Sequence, residues 1–410
     1  MIGDMLFLVF GSQPILSLAE TAAVLGSDLD YSRATNEILL LEKPEKMTLE
    51  QLQDRLAGII KIGQVVGETM GVNEPELADL IAAFIPTGGT GKVNFGMSVY
   101  NGGNPRLLEN LKRRLQTIGL EVKRRLKNAG VSSRYVSSRA QALSSVIVVE
   151  NHLLDSGGEF VLIAAPNGIL VGQTQTVQGY KEWSKRDFGR PARDARSGML
   201  PPKLARIMIN LSGTDPEKTT LLDPFCGSGT IPMEAALMGY QQVIGSDISP
   251  KAVRDTEENL RHVLAKASTL PRIFLSAAED LSKHILHPVD TVITETFLGP
   301  PGAGRQSATD LFKTVEQLKT LYTRSFSAIA KILKPHSQIV AAFPAYLREK
   351  EIIYVMDKEI VQKAGLIVLD PLPSSAPSAF HQLTPSGGLF YRRKDQRVAR
   401  EILVMKKEAA

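Results

Sequence analysis

The stretch with the clearest chemistry is Asp223-Pro224-Phe225-Cys226-Gly227-Ser228-Gly229-Thr230, an acidic residue leading into a glycine loop. It lies where an apolar run (219–225) gives way to a helical one. Glycines at such a turn let the backbone approach a ligand closely, and the amides opening the next helix turn partial positive charge toward it. Asp247 follows 24 residues later and ends a second apolar run, 242–248. A carboxylate at that strand end can accept both hydroxyls of a ribose. The spacing is that of one strand, loop, helix and strand, and the combination is far more specific than a lone glycine loop. The third glycine of a dinucleotide fingerprint is missing, because Pro232 stands there.

The loop and Asp247 resemble motifs I and II of class I S-adenosylmethionine-dependent methyltransferases. The resemblance implies that S-adenosylmethionine is the cofactor and that Asp223 holds the donor's amino-acid end. Phe225, Gly227, Gly229 and Thr230 would line the same loop, and Ile248 would flank Asp247. Ala278 and Glu279 would lie near the adenine, with Ala277 where an acidic residue is usual. After the next apolar run comes Thr294-Glu295-Thr296-Phe297-Leu298-Gly299-Pro300-Pro301. Relatives that methylate exocyclic amines carry Asp/Asn-Pro-Pro-aromatic there. Such a nitrogen has its lone pair delocalised into the ring. An acceptor that draws its N–H groups orients the lone pair, and a stacked aromatic holds the base in line. Glu295 is the expected acceptor and Phe297 the expected ring. Both prolines are absent from the core tetrad, and Leu298 takes the aromatic's aligned place.

Other chemistry is poorly served. Cys226 is the one cysteine and lies inside the glycine loop, so methylation at pyrimidine C5, which needs a cysteine nucleophile, is set aside. The six histidines show no ligand spacing, and no metal is expected.

The surrounding pattern is what must position these groups. From 201 onward, strand-like and helical runs alternate: strands at 219–225, 242–248, 272–278, 291–297, 338–343 and 367–372, with helices between, among them a long one through Leu333 and one at 352–364. Two closing strands, 388–391 and 399–405, flank a basic turn. Such alternation predicts a mostly parallel, seven-stranded Rossmann-like sheet with an antiparallel edge hairpin, an α/β domain. Residues 1–55 read as a small α+β, ferredoxin-like unit, with strands at 6–10 and 37–41 about a helix at 16–25. Residues 56–175 continue as α+β, with strands at 92–100, 144–150 and 160–165, a helix at 105–126 and a hairpin at Asn167-Gly168. Residues 176–200 show no period and read as a connector before the catalytic domain, 201–410.

The 410-residue chain carries a net charge of +5, concentrated locally: residues 101–140 hold ten basic and two acidic side chains. Clustered positive charge of this kind suits a phosphate backbone. The N-terminal half, with Val93–Tyr100, the basic helix and the later strands, resembles a THUMP RNA-binding domain. The stretch from Trp183 to Asn210 resembles the connector of THUMP-containing tRNA guanosine-N2 methyltransferases. It matches through Arg186, Arg190-Pro191, Arg193-Asp194, Gly198 through Arg206, and Asn210-Leu211. That resemblance implies methyl transfer to the N2 amine of a guanosine in tRNA, or in another structured RNA, and leaves room for a small activating protein subunit. Lys112, Arg113, Arg124, Arg125, Arg186, Arg190 and Arg393 are the expected RNA contacts, with Arg392, Lys394, Arg397 and Arg400 extending the basic track. Two rivals stay open: an amino-methyltransferase acting on rRNA or DNA, and a catalytically inactive RNA-binding relative. The apolar patch at 5–10 follows Asp4 and no basic residue, and no run is long enough for a bilayer, so a cytoplasmic protein without a membrane partner is expected.

Overall fold

Short apolar runs cut by glycine and proline become strands, and longer runs of 3.6 period become helices, in a computed structural model that describes residues 4–44, 47–87, 91–193, 199–265, 270–349, 351–394 and 396–408. The chain divides into two units, Met1–Tyr180 with Pro373–Phe380, and Lys181–Leu372 with His381–Ala410.

The first unit runs β1 (Met5–Phe10), α1 (Pro14–Leu25), β2 (Ile38–Glu42), α2 (Leu49–Arg55), β3 (Ile59–Thr69), α3 (Glu74–Ala83), β4 (Val93–Asn101), α4 (Pro105–Asn128), β5 (Ser133–Val136), α5 (Ser145–Glu150), β6 (Gly158–Ala165) and β7 (Gly168–Val177). Its seven strands lie in the order β2-β1-β3-β7-β6-β4-β5. The expected division at residue 55 falls within this sheet, since β1 pairs with both β2 and β3. Helix α4 shows how sequence sets the packing. Asn104 caps it by accepting the Leu107 N–H at 3.1 Å, and Pro105 starts it. Leu108, Leu111, Leu115, Ile118, Val122 and Leu126 share a buried face against Phe95, Phe160 and Val171, leaving the basic residues on the other side.

Three local secondary-structure assignments also need correction. Residues 144–150 form α5 rather than a strand. The β-branched run Val146-Ile147-Val148-Val149 favours a strand, but Ser144 caps a helix by accepting the Ile147 N–H. The presumed connector holds helix α6 (Tyr180–Phe188), which buries only Trp183 and so shows no apolar period. The helix expected at 352–364 is a short strand, β13 (Ile352–Tyr354), followed by α11 (Lys358–Lys363), which Asp357 caps.

The second unit continues from α6 through α7 (Pro202–Leu211), β8 (Thr220–Asp223), α8 (Thr230–Leu237), β9 (Gln242–Asp247), α9 (Pro250–Val263), β10 (Arg272–Leu275), β11 (Val289–Glu295), α10 (Ala308–Ile332) and β12 (Leu333–Leu347). After β13 and α11 come β14 (Leu366–Leu369), β15 (Leu389–Tyr391) and β16 (Val398–Lys407). The path is β10-β9-β8-β11-β12-β16-β14, with β13 on β12 and β15 on β16. This is the Rossmann-like α/β order of class I methyltransferases. The antiparallel strand β16 is not at the edge: it lies between β12 and β14 and is buried along most of its length. Its near-continuous apolar run, from Ile402 to Met405, suits a strand covered on both faces. Strand order reverses at β8 and β11, so the ends of β8, β9 and β11 surround the crevice where open α/β sheets bind ligands.

In the first unit, residues 373–380 pack as an added strap. The Tyr31 N–H donates to Ser375 Oγ at 3.1 Å, Ser375 Oγ donates to Leu29 O at 3.1 Å, and the Phe380 ring meets Phe10 edge-on at 6.3 Å.

Candidate active site

Asp223 ends β8 at 1% exposure and organises the glycine loop. Its Oδ1 accepts the Phe225 N–H at 3.2 Å and the Thr294 hydroxyl at 2.7 Å. Burial pushes its carboxyl up to about 8; the carboxylates of Asp247 and Glu295 add to the rise, while the two hydrogen bonds oppose it. Asp247 grips the same loop, accepting the Gly227 N–H at 3.0 Å and the Ser249 N–H at 2.8 Å. Thr256 donates its hydroxyl to Gly227 O at 2.7 Å, and Asn259 donates to Ser228 O at 2.9 Å. Gly227 and Gly229 both have positive φ, at +54° and +85°. A side chain at 229 would strike Thr256, whereas a Cβ at 227 would project into open space. That cradle, rimmed by Asp223, Asp247 and the uncapped start of α8, fits the amino-acid end and ribose of an adenosyl donor. Cys226 is buried, and burial beside Asp223 and Asp247 drives its thiol well up, which leaves it inert.

Beside the loop lies a buried ionic cluster. Arg206 binds Glu234 Oε2 through Nε at 3.0 Å and Nη2 at 2.9 Å, and Arg186 Nε lies 3.1 Å from Glu234 Oε1. The guanidinium groups of Arg186 and Arg206 stand 4.0 and 5.0 Å from the Trp183 ring centroid, a cation–π arrangement. Arg190, 3% exposed, donates through Nη1 to Thr230 Oγ1 at 2.7 Å.

The target side is built on β11, β12 and β16. Glu295 pairs in register with Ala342, and Arg400 with Pro344 two residues along β12. Side chains alternate along a strand, so this register puts Glu295 and Arg400 on one face of the sheet. Arg400 Nε donates to Glu295 Oε1 at 2.8 Å, and its Nη1 donates to Gln396 Oε1 at 2.8 Å. The following loop is pinned from below. Thr296 donates its N–H and its hydroxyl to Ala342 O, each at 3.0 Å; Tyr322 OH reaches Phe297 O at 2.7 Å and Tyr346 OH reaches Leu298 O at 2.9 Å. The Phe297 backbone is thus fixed while its side chain stays 50% exposed.

The sequence-derived residues therefore separate. Asp223, Gly227, Gly229, Thr230 and Asp247 converge on one loop, with Thr294 linking Asp223 to the end of β11. Phe225 is half-buried against the core, and Ile248 projects beside Asp247 at 74% exposure. Glu279 is exposed, but Ala278 packs into the core with Leu281 and Ile285. Arg186 and Arg190 are corrected from RNA contacts to interior groups, because Glu234 and Thr230 hold them inside the second unit. Arg125 is corrected likewise: it braces α3 to α4 through Asp79, Glu121 and Pro75 O. Arg400, read from sequence as part of the basic track, is buried at 2% side-chain exposure. Arg400, one of two charged residues with Glu401 in the otherwise apolar run 399–405, was the available signal for that partnership. Lys112, Arg113, Arg124 and Arg393 keep accessible positions; the pairs Lys112–Glu109 and Arg124–Glu121 are surface pairs of little worth. Asp194 and Gly198 lie outside the described residues.

Comparison with known proteins agrees with this architecture. Residues 190–364 match the family described as RMKL-like, methyltransferase domain, and residues 109–258 match a DNA methylase family. A tRNA (guanine(10)-N2)-dimethyltransferase of Methanothermobacter thermautotrophicus is 35% identical over 41% of this chain and 44% of that protein. Its namesake in Methanocaldococcus jannaschii is 29% identical over 36% of this chain and 38% of that protein. The chain thus matches less than half the length of these curated relatives. TrmN from Thermus thermophilus shares the fold, with a TM-score of 0.56, 16% identity, and coverage of 98% of this chain and 99% of that one. Sheet order, acidic glycine loop and this match over residues 190–364 agree on a Rossmann-like methyltransferase domain.

Proposed function

We propose that the protein transfers a methyl group from S-adenosylmethionine to the exocyclic N2 amine of a guanosine in tRNA. The observation that carries the reading is the convergence of an acidic glycine loop with the end of β11, where Thr294 donates to Asp223 and the next residue, Glu295, is held through Oε1 by Arg400, its Oε2 having no protein partner among the described residues. The names of the curated relatives point to the same base and the same polymer. Bound at the loop, S-adenosylmethionine supplies an electrophilic methyl group on a sulfonium. Asp223 and Asp247 position the amino-acid end and the ribose of that ligand. Glu295 Oε2 accepts an amine N–H, which aligns the nitrogen lone pair, and takes the proton as the new bond forms. The Phe297 ring, exposed above a pinned backbone, stacks on the flipped base. Arg400 acts through Glu295 as a positioning residue.

The basic face of α4 supplies backbone contacts in the first unit, and Arg393 does so in the second. Cytoplasmic location and a small activating subunit belong to the same reading. No helix among the described residues is long and apolar enough to cross a membrane.

The test is transfer of labelled methyl from S-adenosylmethionine to unmodified tRNA, followed by nucleoside digestion. Labelled N2-methylguanosine is expected. Label in adenosine or only in rRNA or duplex DNA, or donor binding with no transfer to any of these, would move the assignment to one of the rival readings. A second expectation concerns the α4 surface. The double variant R113E/R124E should weaken tRNA binding roughly tenfold near physiological salt and flatten its salt dependence. Donor affinity, read by calorimetry, should not move. Unchanged salt dependence would remove α4 from the RNA surface.

A further inference from the structure

Arg400 reaches two partners, and the preceding mechanism uses only one. Its Nε donates to Glu295 Oε1 and its Nη1 donates to Gln396 Oε1, each at 2.8 Å. A guanidinium has donors only, so it fixes which end of the Gln396 amide faces it. The oxygen is turned inward and the Nε2 amine away, with no partner among the described residues. Glu295 and Gln396 thus stand at different edges of one cation, the first offering an acceptor and the second a donor. Exposure follows the same arrangement. The Arg400 side chain is 2% exposed, that of Glu295 is 15% exposed, and Gln396 is half-buried. The two polar ends reach solvent, and the cation that holds them does not.

Neighbouring elements place these ends beside the target loop. Glu295 directly follows Thr294, whose hydroxyl donates to Asp223 of the glycine loop. Gln396 lies in the turn between β15 and β16, and its own N–H closes that turn on Arg393 O at 3.0 Å. The turn packs on the loop that carries Phe297. A side chain at Gly304 would come within 2.9 Å of Arg397 Cβ. The end of β12 ties the same two segments: the Leu347 N–H donates to Arg397 O at 3.0 Å, and Arg348 Nη1 donates to Gln306 O at 2.9 Å. The turn around Gln396 and the loop after β11 are therefore fixed side by side, at the end of the sheet where Glu295 and Arg400 meet.

We propose that Gln396 is the residue that selects guanine, its Nε2 donating to O6 while Glu295 accepts from the N2 amine. The inference rests on the reading that Glu295 receives the N2 amine of a guanosine. Guanine carries an amine at position 2 and a carbonyl at position 6, at the two ends of its Watson–Crick edge. An acceptor and a donor held apart by one guanidinium engage both ends of that edge together. Adenine has its amine at position 6 and none at position 2. Turned to offer that amine to Glu295, it sets a C–H against Gln396 Nε2. A donor desolvated without an acceptor is costly, and that cost is the discrimination.

The experiment measures kcat/KM of the full chain, wild type and the variants Q396L and Q396E, on tRNA ligated to carry one of three bases at the nucleotide that the labelling test identifies. The bases are guanine, 2-aminopurine and 2,6-diaminopurine. All keep the 2-amine; the second has hydrogen at position 6 and the third an amine. Wild type should lose roughly ten- to a hundredfold from guanine to either analogue. Q396L should bring guanine and 2-aminopurine within about threefold of one another, since neither then meets a donor. Q396E offers an acceptor at that place and should prefer 2,6-diaminopurine to guanine. Affinity for S-adenosylhomocysteine, read by calorimetry, should match the wild type in both variants. A wild-type protein that uses the three bases equally would overturn the proposal. So would a Q396L protein that loses the same factor on all three, which would leave Gln396 as a support for Arg400 alone. A wild-type protein that methylates no guanosine would instead overturn the guanosine reading on which the proposal rests.

Discussion

Glu295→Gln should reduce methyl transfer by roughly 10² to 10⁴-fold, the usual worth of a positioned proton acceptor, and leave donor affinity within error of the wild type. The amide still offers an oxygen to Arg400, so the loss reports the missing carboxylate and not a collapsed site. Glu295→Ala is a different experiment. It strands a guanidinium that is 2% exposed, and stranding a buried charge costs roughly 3–5 kcal/mol. That variant should lose stability as well as activity, and E295A/R400M should recover the melting temperature without recovering transfer. Arg400→Met alone should lower turnover while the KM for the donor holds, and Arg400→Lys should restore part of it. Transfer by Glu295→Gln within threefold of the wild type would remove Glu295 from the acceptor role. Donor affinity that fell in step with turnover would tie Glu295 to the donor instead.

Asp223→Asn should act in opposite directions on stability and on ligand binding. Burial lifts the Asp223 carboxyl from 3.8 to about 8. Between those two values the folded protein keeps a proton that the unfolded chain has released, so this residue's contribution to stability falls as pH rises through the interval. Asparagine preserves an oxygen for the Thr294 hydroxyl and the Phe225 N–H and has no proton to lose. The donor-free variant should therefore melt several degrees higher than the wild type at pH 8, with the gap closing toward pH 5, where the buried carboxyl is protonated. The same substitution removes the anion that meets the donor's ammonium, and affinity for S-adenosylhomocysteine should drop roughly tenfold or more at pH 8. A melting temperature equal to the wild type at pH 8 would mean that the wild-type carboxyl is ionised there at no cost. Unchanged donor affinity would remove Asp223 from the donor site.

The donor side was legible in the sequence because its determinants are local. A glycine needed at positive φ, an acidic strand end and a helix start all lie within eight residues, 223–230, and Asp247 is one structural unit further on. The mostly parallel α/β character was legible for the same reason, since alternation of period allows few topologies, whereas the place of β16 inside the sheet was not. Partners brought together from afar were not. Arg400 lies 105 positions from Glu295, and only the register of β16 on β12 joins them. Arg190 and Arg186 were read as surface charge because a basic residue in an aperiodic stretch ordinarily faces water, whereas here Trp183, Thr230 and Glu234 provide interior partners. Helix α5 was misjudged because β-branched propensity is a weak prior that one cap and tertiary packing can override.

The strap 373–380 has a bearing on how the protein comes into being. A chain emerging from the ribosome has delivered every strand of the first sheet by Val177, yet Phe10 and the Tyr31 amide still await Phe380 and Ser375. Nearly two hundred further residues must be translated before those partners exist. The first unit's sheet is therefore translated well before its last packing partners, and the order of synthesis is not the order of completion.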